Sequence, residues 1–144
     1  IAAVADETGW AYIDGAGKIV IRPFIFENGP DYFSEGAARF IDESGKFGFF
    51  DLHGRVVIAP LFDWAFPFHE GLAVICMGCV KAPGGGEHST VRGGKWGYID
   101  REGREVIPPR FEEAGSFERG IARVKLNDTW IFIDKTGRIV PAPE

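Results

Sequence analysis

Cys76-Met77-Gly78-Cys79 sets two thiols two residues apart, a spacing that chelates zinc or makes a redox pair. A tetrahedral zinc site needs four ligands. His88 follows in the same stretch, and His69 or His53 would complete a set, but no second Cys-x-x-Cys exists and no spacing demands these histidines. A redox role lacks the βαβ context that gives the motif its meaning. In strand phase Cys76 aligns with Lys125 and Ile41, an outward position. The pair therefore reads as free thiols. No metal or cofactor is expected, and Cys76, Cys79 and His88 are the ligands to examine if one binds.

Carboxylates are the next candidates. Asp14, Asp51, Asp100 and Asp134 each stand three residues before a glycine. A calcium loop needs several oxygens converging on one point, whereas a turn needs one aspartate bonding forward to the backbone and one glycine at positive φ. The turn explains all four at once. Glu35, Glu70 and Glu118 precede a third element, and a pair of acids at the right separation is the equipment of a glycosidase. These acids recur with a period, however, and an active site is a singular constellation. Gly84-Gly85-Gly86 lacks the lysine, serine and following helix of a phosphate loop. Nor does any serine stand in a nucleophile elbow. The expectation is a protein without catalytic residues.

The elements that carry these residues repeat. Trp10-Ala11-Tyr12-Ile13-Asp14-x-x-Gly17-Lys18 returns as Phe47-Gly48-Phe49-Phe50-Asp51-x-x-Gly54-Arg55 and as Trp96-Gly97-Tyr98-Ile99-Asp100-x-x-Gly103-Arg104. Its last appearance is Trp130-Ile131-Phe132-Ile133-Asp134-x-x-Gly137-Arg138. Each of the first three is followed by a Val-Ile run with a proline, such as Val56-Val57-Ile58-Ala59-Pro60. An aromatic and an acid come next (Phe26-Glu27, Phe62-Asp63, Phe111-Glu112), then a Phe-x-x-Gly block ending in an alternating run. Trp10 and Phe47 are 37 residues apart, Trp96 and Trp130 are 34 apart, and the middle interval of 49 holds an insertion. Periods of this size mark stacked arrays.

Aromatic and β-branched residues at alternating positions make each run a strand, with hairpins at the Asp-x-x-Gly turns. The prediction is an all-β fold: tandem three-stranded antiparallel meanders, stacked as a solenoid or a barrel-like array, with aromatic faces buried between neighbours. The units span 9–43, 44–78 and 93–127, with a partial unit at 128–141 and a flexible insert at 79–92, all within one domain at 1–144. The interrupted fourth copy and the absence of an initial methionine suggest a piece of a longer protein.

The sequence has 144 residues, 45% of them hydrophobic, which is enough for a sizeable core. A net charge of −5 argues against general nucleic-acid binding, and no long apolar run points to a membrane. Two cysteines this close do not bridge easily in an extended strand, which favours a reducing, cytoplasmic setting.

Lys95-Trp96-Gly97-Tyr98-Ile99-Asp100-x-x-Gly103-x-x-Val106-Ile107-x-Pro109-x-Phe111-Glu112 resembles a unit of the bacterial WG-repeat family, also called KWG repeats. The likeness extends from Gly9 to Val140. The second copy reads Lys46-Phe47-Gly48, and the first and fourth replace the glycine by Ala11 and Ile131. The resemblance implies a β-rich scaffold with a binding role and supplies no catalytic residues.

The functional expectation is a non-catalytic module that binds another protein, in its sharpest form a neutraliser of a toxin domain, whose acidic surface blocks a basic site. Tyr32, Trp64, His69, Arg92 and Arg110 are the residues selected for partner contact. Trp64 has no counterpart tryptophan in the other copies: it either anchors a surface patch with Tyr32 or packs on the neighbouring repeat. The alternative is a carbohydrate or cell-wall binder that stacks sugars on Trp10, Trp96 and Trp130. Burial separates the two, because those rings cannot both hold the repeats together and face a sugar.

Overall fold

The computed structural model describes residues 33–80 and 93–142, and as backbone only the strands before residue 33 and the strand ends at Lys81 and Val91-Arg92. The chain is all-β. Strands β1 (Ala2–Asp6), β2 (Gly9–Ile13), β3 (Ile19–Ile21), β4 (Ile25–Phe26) and β5 (Gly29–Pro30) lead into β6 (Ala37–Ile41), β7 (Phe47–Asp51), β8 (Val56–Phe62) and β9 (Trp64–Ala65). These are followed by β10 (Ala73–Lys81), β11 (Val91–Ile99), β12 (Glu105–Phe111) and β13 (Glu113–Ala114). The last are β14 (Ile121–Leu126), β15 (Thr129–Asp134) and β16 (Ile139–Val140).

Antiparallel pairing gives open sheets in the orders β1-β2-β3, β6-β7-β8, β12-β11-β10-β9 and β13-β14-β15-β16. The expected three-stranded meander is present, but its phase differs from the sequence period. Each sheet starts with the last strand of one copy and continues with the aromatic and Val-Ile strands of the next: β6 with β7 and β8, β10 with β11 and β12. The cause is a one-residue corner after the Val-Ile strand. Phe62 ends one sheet, Asp63 turns, and Trp64 pairs with Cys76 in the next. Phe111, Glu112 and Glu113 do the same one copy later. The second and third copies are thus each shared between two sheets, which ties neighbours together through the backbone. β4 and β5 pair with each other alone; among the described residues the other sheets hold three or four strands and no barrel closes.

The glycine after each aromatic has a steric origin. Trp96 pairs with Phe111 and Tyr98 with Ile107, so Pro108, Pro109 and Arg110 must bulge opposite Gly97. A Cβ on Gly97 would lie 2.5 Å from the Ile107 carbonyl oxygen and 2.7 Å from the Pro109 nitrogen. On Gly48 it would lie 2.6 Å from the Ile58 oxygen, under the corresponding bulge of β8. The proline, which cannot donate to a ladder, marks this departure from regular pairing.

The core runs continuously through the second and third copies. Phe49 packs on Phe68 with ring centroids 4.8 Å apart, and the equivalent pair Tyr98 and Phe117 repeats the same 4.8 Å. Phe47 meets Trp64, and Phe66 stacks on Trp96. Phe47, Phe49 and Tyr98 thus bury their rings against the corner or the Phe-x-x-Gly block of their own copy, and Trp96 stacks on Phe66 of the preceding one. A smaller cluster of Ala38, Phe40 and Phe50, with Phe33 against it, lies apart from this core.

Candidate functional site

The periodic acids are occupied by the backbone. Asp51 Oδ1 accepts from the amides of His53 and Arg55, Asp100 Oδ1 from those of Glu102 and Arg104, and Asp134 Oδ1 from those of Thr136 and Arg138. The amides of Arg55 and His53 hold the Asp51 carboxyl below its ordinary range. At Asp134 the Thr136 hydroxyl leads the same effect, and at Asp100 the two amides outweigh an opposing desolvation. Asp42 caps the loop between β6 and β7 in the same manner. Asp14 lies outside the described residues.

Glutamates of the Phe-x-x-Gly blocks form a ladder between copies. Glu35 Oε1 accepts from the Gly71 amide at 2.8 Å, and Glu70 accepts from the amides of Arg119 and Gly120 at 2.5 and 2.9 Å. These amides are exposed in direction because each block is a two-residue turn with positive φ at both central positions, as at Glu70 and Gly71. One residue earlier, a second rung repeats: Ser34 Oγ donates to the Phe68 carbonyl, and His69 Nδ1 lies 2.6 Å from the Phe117 carbonyl. A carbonyl only accepts, so this histidine carries its proton on Nδ1. Lys135 joins the ladder from the fourth copy, donating to the Glu70 carbonyl and pairing with its carboxylate. The third block, Glu118-Arg119, offers neither the donor nor the acceptor of the earlier two.

The cysteines are buried rather than outward, Cys76 being 0% exposed. Cys76 differs from its equivalents Ile41 and Lys125 because Trp64 and Trp96 flank it across both neighbouring strands and the strand continues past it. Burial raises the pKa of both thiols. A nucleophile or metal ligand needs the thiolate, so this environment works against both roles. Among the described residues no three His, Cys, Asp or Glu side chains gather in a metal-binding arrangement. His88 lies outside them.

The described ends of the insertion, residues 79–81 and 91–92, continue the strands on either side of it. β10 and β11 are nine residues each and stay paired as Met77 with Lys95, Cys79 with Gly93, Val80 with Arg92 and Lys81 with Val91. β9 pairs only with Ile75 and Cys76, and β12 only with Trp96, Tyr98 and Ile99. The segments 77–81 and 91–95 thus make a two-stranded ribbon with no further strand neighbour among the described residues. Asp63 fixes its base: one carboxylate oxygen accepts from the Gly78 amide at 2.5 Å, and the other pairs with Lys46. Lys46 holds the Asp63 carboxyl low, and Asp63 in turn raises the pKa of Lys46. Residues 82–90, at the tip, are outside the described set.

A family model described as the WG containing repeat matches residues 10–42, 47–78 and 96–130. The chain belongs to the WG-repeat family. No curated protein and no solved structure matches it. The WG glycine is thus the residue beneath the proline bulge, and the recurring aspartates and glutamates of this chain serve its turns and its ladder.

The residues expected to meet a partner separate on this scaffold. Trp64 is 7% exposed and packs against Phe47 and Phe66, so it belongs to the WG-repeat core. His69 is a rung of the ladder. Arg110 lies exposed on the β12 bulge and donates to the Gly137 carbonyl at 3.1 Å, linking the third copy to the fourth hairpin. Arg92 falls on the ribbon, opposite Val80, and its side chain is outside the description, as is Tyr32. Sequence periodicity did not single out Met77 and Val80, which stand exposed at 38% and 67% on the ribbon. A sign was there for Val80, which lies within the insert at 79–92.

Proposed function

We propose that this WG-repeat chain is a non-catalytic protein-interaction module and that the β10–β11 ribbon is its contact element. The observation supporting this reading is the ribbon itself. It departs from the repeat, is anchored at its base by Asp63 and Lys46, and carries exposed aliphatic side chains. Insertions in repeat proteins that the scaffold does not need commonly form the binding face. The second copy also carries exposed aliphatic residues outside the ribbon. Leu52, Val56, Val57 and Leu61 are all exposed, where the third copy has Arg101, Glu105, Val106 and Arg110.

Toxin neutralisation through an acidic surface receives little support. The carboxylates of Asp42, Asp51, Asp63, Glu70, Asp100, Glu112 and Asp134 are engaged by backbone amides, several with a lysine or arginine beside them. Sugar stacking on Trp96 is disfavoured by its burial, at 6% exposed; Trp130 is 41% exposed, and the side chain of Trp10 lies outside the description. The test is affinity capture with the immobilised chain from a lysate of its source cell. A protein retained in stoichiometric amount, and lost when Val80→Asp is the bait, supports the reading. Retention of glycans alone overturns it.

A further inference from the structure

We infer that Cys76 and Cys79 are a modification site, a thiol pair that a hydroperoxide closes to a disulfide at the base of the ribbon. The inference stands independently of the interaction-module reading. In a regular strand, residues three apart point to opposite faces, and their sulfurs stay apart. This strand is not regular. Gly78 and Gly94 face each other between the pairs Met77–Lys95 and Cys79–Gly93, and both have left-handed backbones, with φ of 80° and 69°. The register runs on unshifted, but burial changes phase. Cys76 is buried, Met77 and Gly78 are exposed, Cys79 is buried and Val80 is exposed. The kink at Gly78 therefore returns Cys79 to the side that Cys76 occupies.

The surrounding atoms bring the two residues together. The Cys76 sulfur lies 3.9 Å from the Gly93 carbonyl oxygen, and Gly93 is the cross-strand partner of Cys79, so this side chain leans along the strand toward the Cys79 rung. A Cβ on Gly94 would meet the Cys79 nitrogen at 2.5 Å and the Cys76 sulfur at 2.9 Å, so glycine is what leaves room for both there. Asp63, accepting from the Gly78 amide, holds the kink in place before any reaction. Burial raises the pKa of both thiols. Next in size, the Cys79 sulfur raises that of Cys76, while the Cys76 thiol, as donor, lowers that of Cys79. Cys79 is also the more exposed, at 7% against 0%. It is therefore the attacking sulfur and Cys76 the resolving one. The Cys79 thiolate takes one oxygen of the hydroperoxide, the O–O bond breaks, and the proton from Cys79 goes to the departing oxygen. For hydrogen peroxide this gives water and a sulfenic acid. The Cys76 sulfur then displaces hydroxide from the Cys79 sulfur, and that hydroxide takes the Cys76 proton as a second water. Two thiols are oxidised and one peroxide is reduced. Burial slows the first step because it opposes the thiolate, but it does not oppose the product, since a disulfide carries no charge.

Treatment of the folded chain with hydrogen peroxide, followed by denaturation, alkylation and peptide mass mapping, tests this. Met77 is 38% exposed and reports the dose as its sulfoxide. The two free thiols should fall to none. The peptide carrying both cysteines should lose two hydrogens, apart from any sulfoxide oxygen, while the chain stays monomeric, and a phosphine reductant should restore both thiols. Cys76→Ser should stop at a Cys79 sulfenic acid that dimedone traps. Cys79→Ser should leave a Cys76 that dimedone labels far less. The disulfide form should melt no lower than the dithiol form, because the kink already holds the sulfurs on one side. Two thiols that still alkylate once Met77 is fully oxidised overturn the inference. So do a Cys79 that passes to sulfinic acid with Cys76 intact, disulfides that link separate chains, and a disulfide form that melts several degrees lower. Equal dimedone labelling of the two serine variants overturns the assigned order of attack.

Discussion

Residues 96–100 and 130–134 are the same strand twice, and only one of them lies in the core. Both begin with tryptophan, end with an aspartate and close through an Asp-x-x-Gly turn with matching hydrogen bonds. Trp96 is 6% exposed, Trp130 41%. Tyr98 is sealed under Phe117, whereas Phe132 is only half-buried. The outer strands differ as well. β12 bulges over Gly97, while β15 pairs with β16 in an unbroken register in which Phe132 faces Val140 and Ile133 faces Ile139. The fourth copy has Ile131 where the third has Gly97, and Pro141 where the third has Ile107. The hairpin therefore needs only its turn. The tryptophan-glycine signature serves the packing of a bulged outer strand and a Phe-x-x-Gly block over the aromatic face.

The sharpest way to break this comparison is to truncate both tryptophans. Trp96→Ala should cost about 4 kcal/mol in urea unfolding, the typical loss for a buried large aromatic. Trp130→Ala should cost about 1 kcal/mol or less, because what it loses is partial burial and the Arg123 guanidinium, 4.1 Å above its ring. Equal losses would show that the exposed ring is a core element after all.

The glycine is the next discriminator. Gly97→Ala puts a methyl against backbone atoms that cannot move independently, and overpacking of this kind costs about 2 to 3 kcal/mol. Ile131→Ala, at the equivalent site, should lose under about 1 kcal/mol, since its side chain is only partly covered. A tolerated Gly97→Ala would mean that the proline bulge yields, and the steric account of the signature would fall.

The contrast also shows what could be read from the sequence. The all-β class, the Asp-x-x-Gly turns and the inward aromatics follow from local rules, alternation and turn chemistry, that hold whatever surrounds them. Residues 47–51 and 96–100 obeyed those rules. The offset of sheets from copies was hidden because it depends on a single corner residue, Asp63 or Glu112, whose backbone direction no periodicity encodes. The ladder was visible only as recurring glutamates. Their purpose required knowing that Gly71 and Gly120 point their amides at the preceding copy. Cys76 was misplaced because strand phase counts alternation within one strand and is blind to Trp64 and Trp96 on either side. For the candidate contact surface, the sequence marked the insertion, but its pairing into a ribbon is a long-range fact.

Glu70 connects the two halves of the comparison, since its carboxylate holds the third block while its carbonyl and carboxylate hold Lys135 of the fourth hairpin. Glu70→Gln should lower the melting temperature by more than Glu35→Gln, whose carboxylate holds the Gly71 amide. Amide exchange should accelerate selectively at Phe132 and Ile133. If exchange instead quickens throughout β10–β12, the fourth hairpin is not a separable unit.

The smallest effect should be where the two strands agree. Asp100→Asn and Asp134→Asn should each lower the melting temperature slightly and by similar amounts, because both side chains perform the same turn at a solvated surface. Titration gives the sign. Their folded-state carboxyls lie below the ordinary 3.8, so the folded protein binds these protons less readily than the unfolded chain. Their contribution is complete above 3.8 and is lost as the pH falls through the lower folded values. Glu70 and Glu112 add to the same loss from their ordinary 4.5 downward. Stability measured by denaturant should therefore be level near neutrality and decline below about pH 5. The asparagine variants should decline less steeply than the parent. A parent curve that stays flat through this range would show that the amides bind neutral and ionised carboxyls alike. The shared turn would then be held by backbone geometry alone, with no contribution from charge.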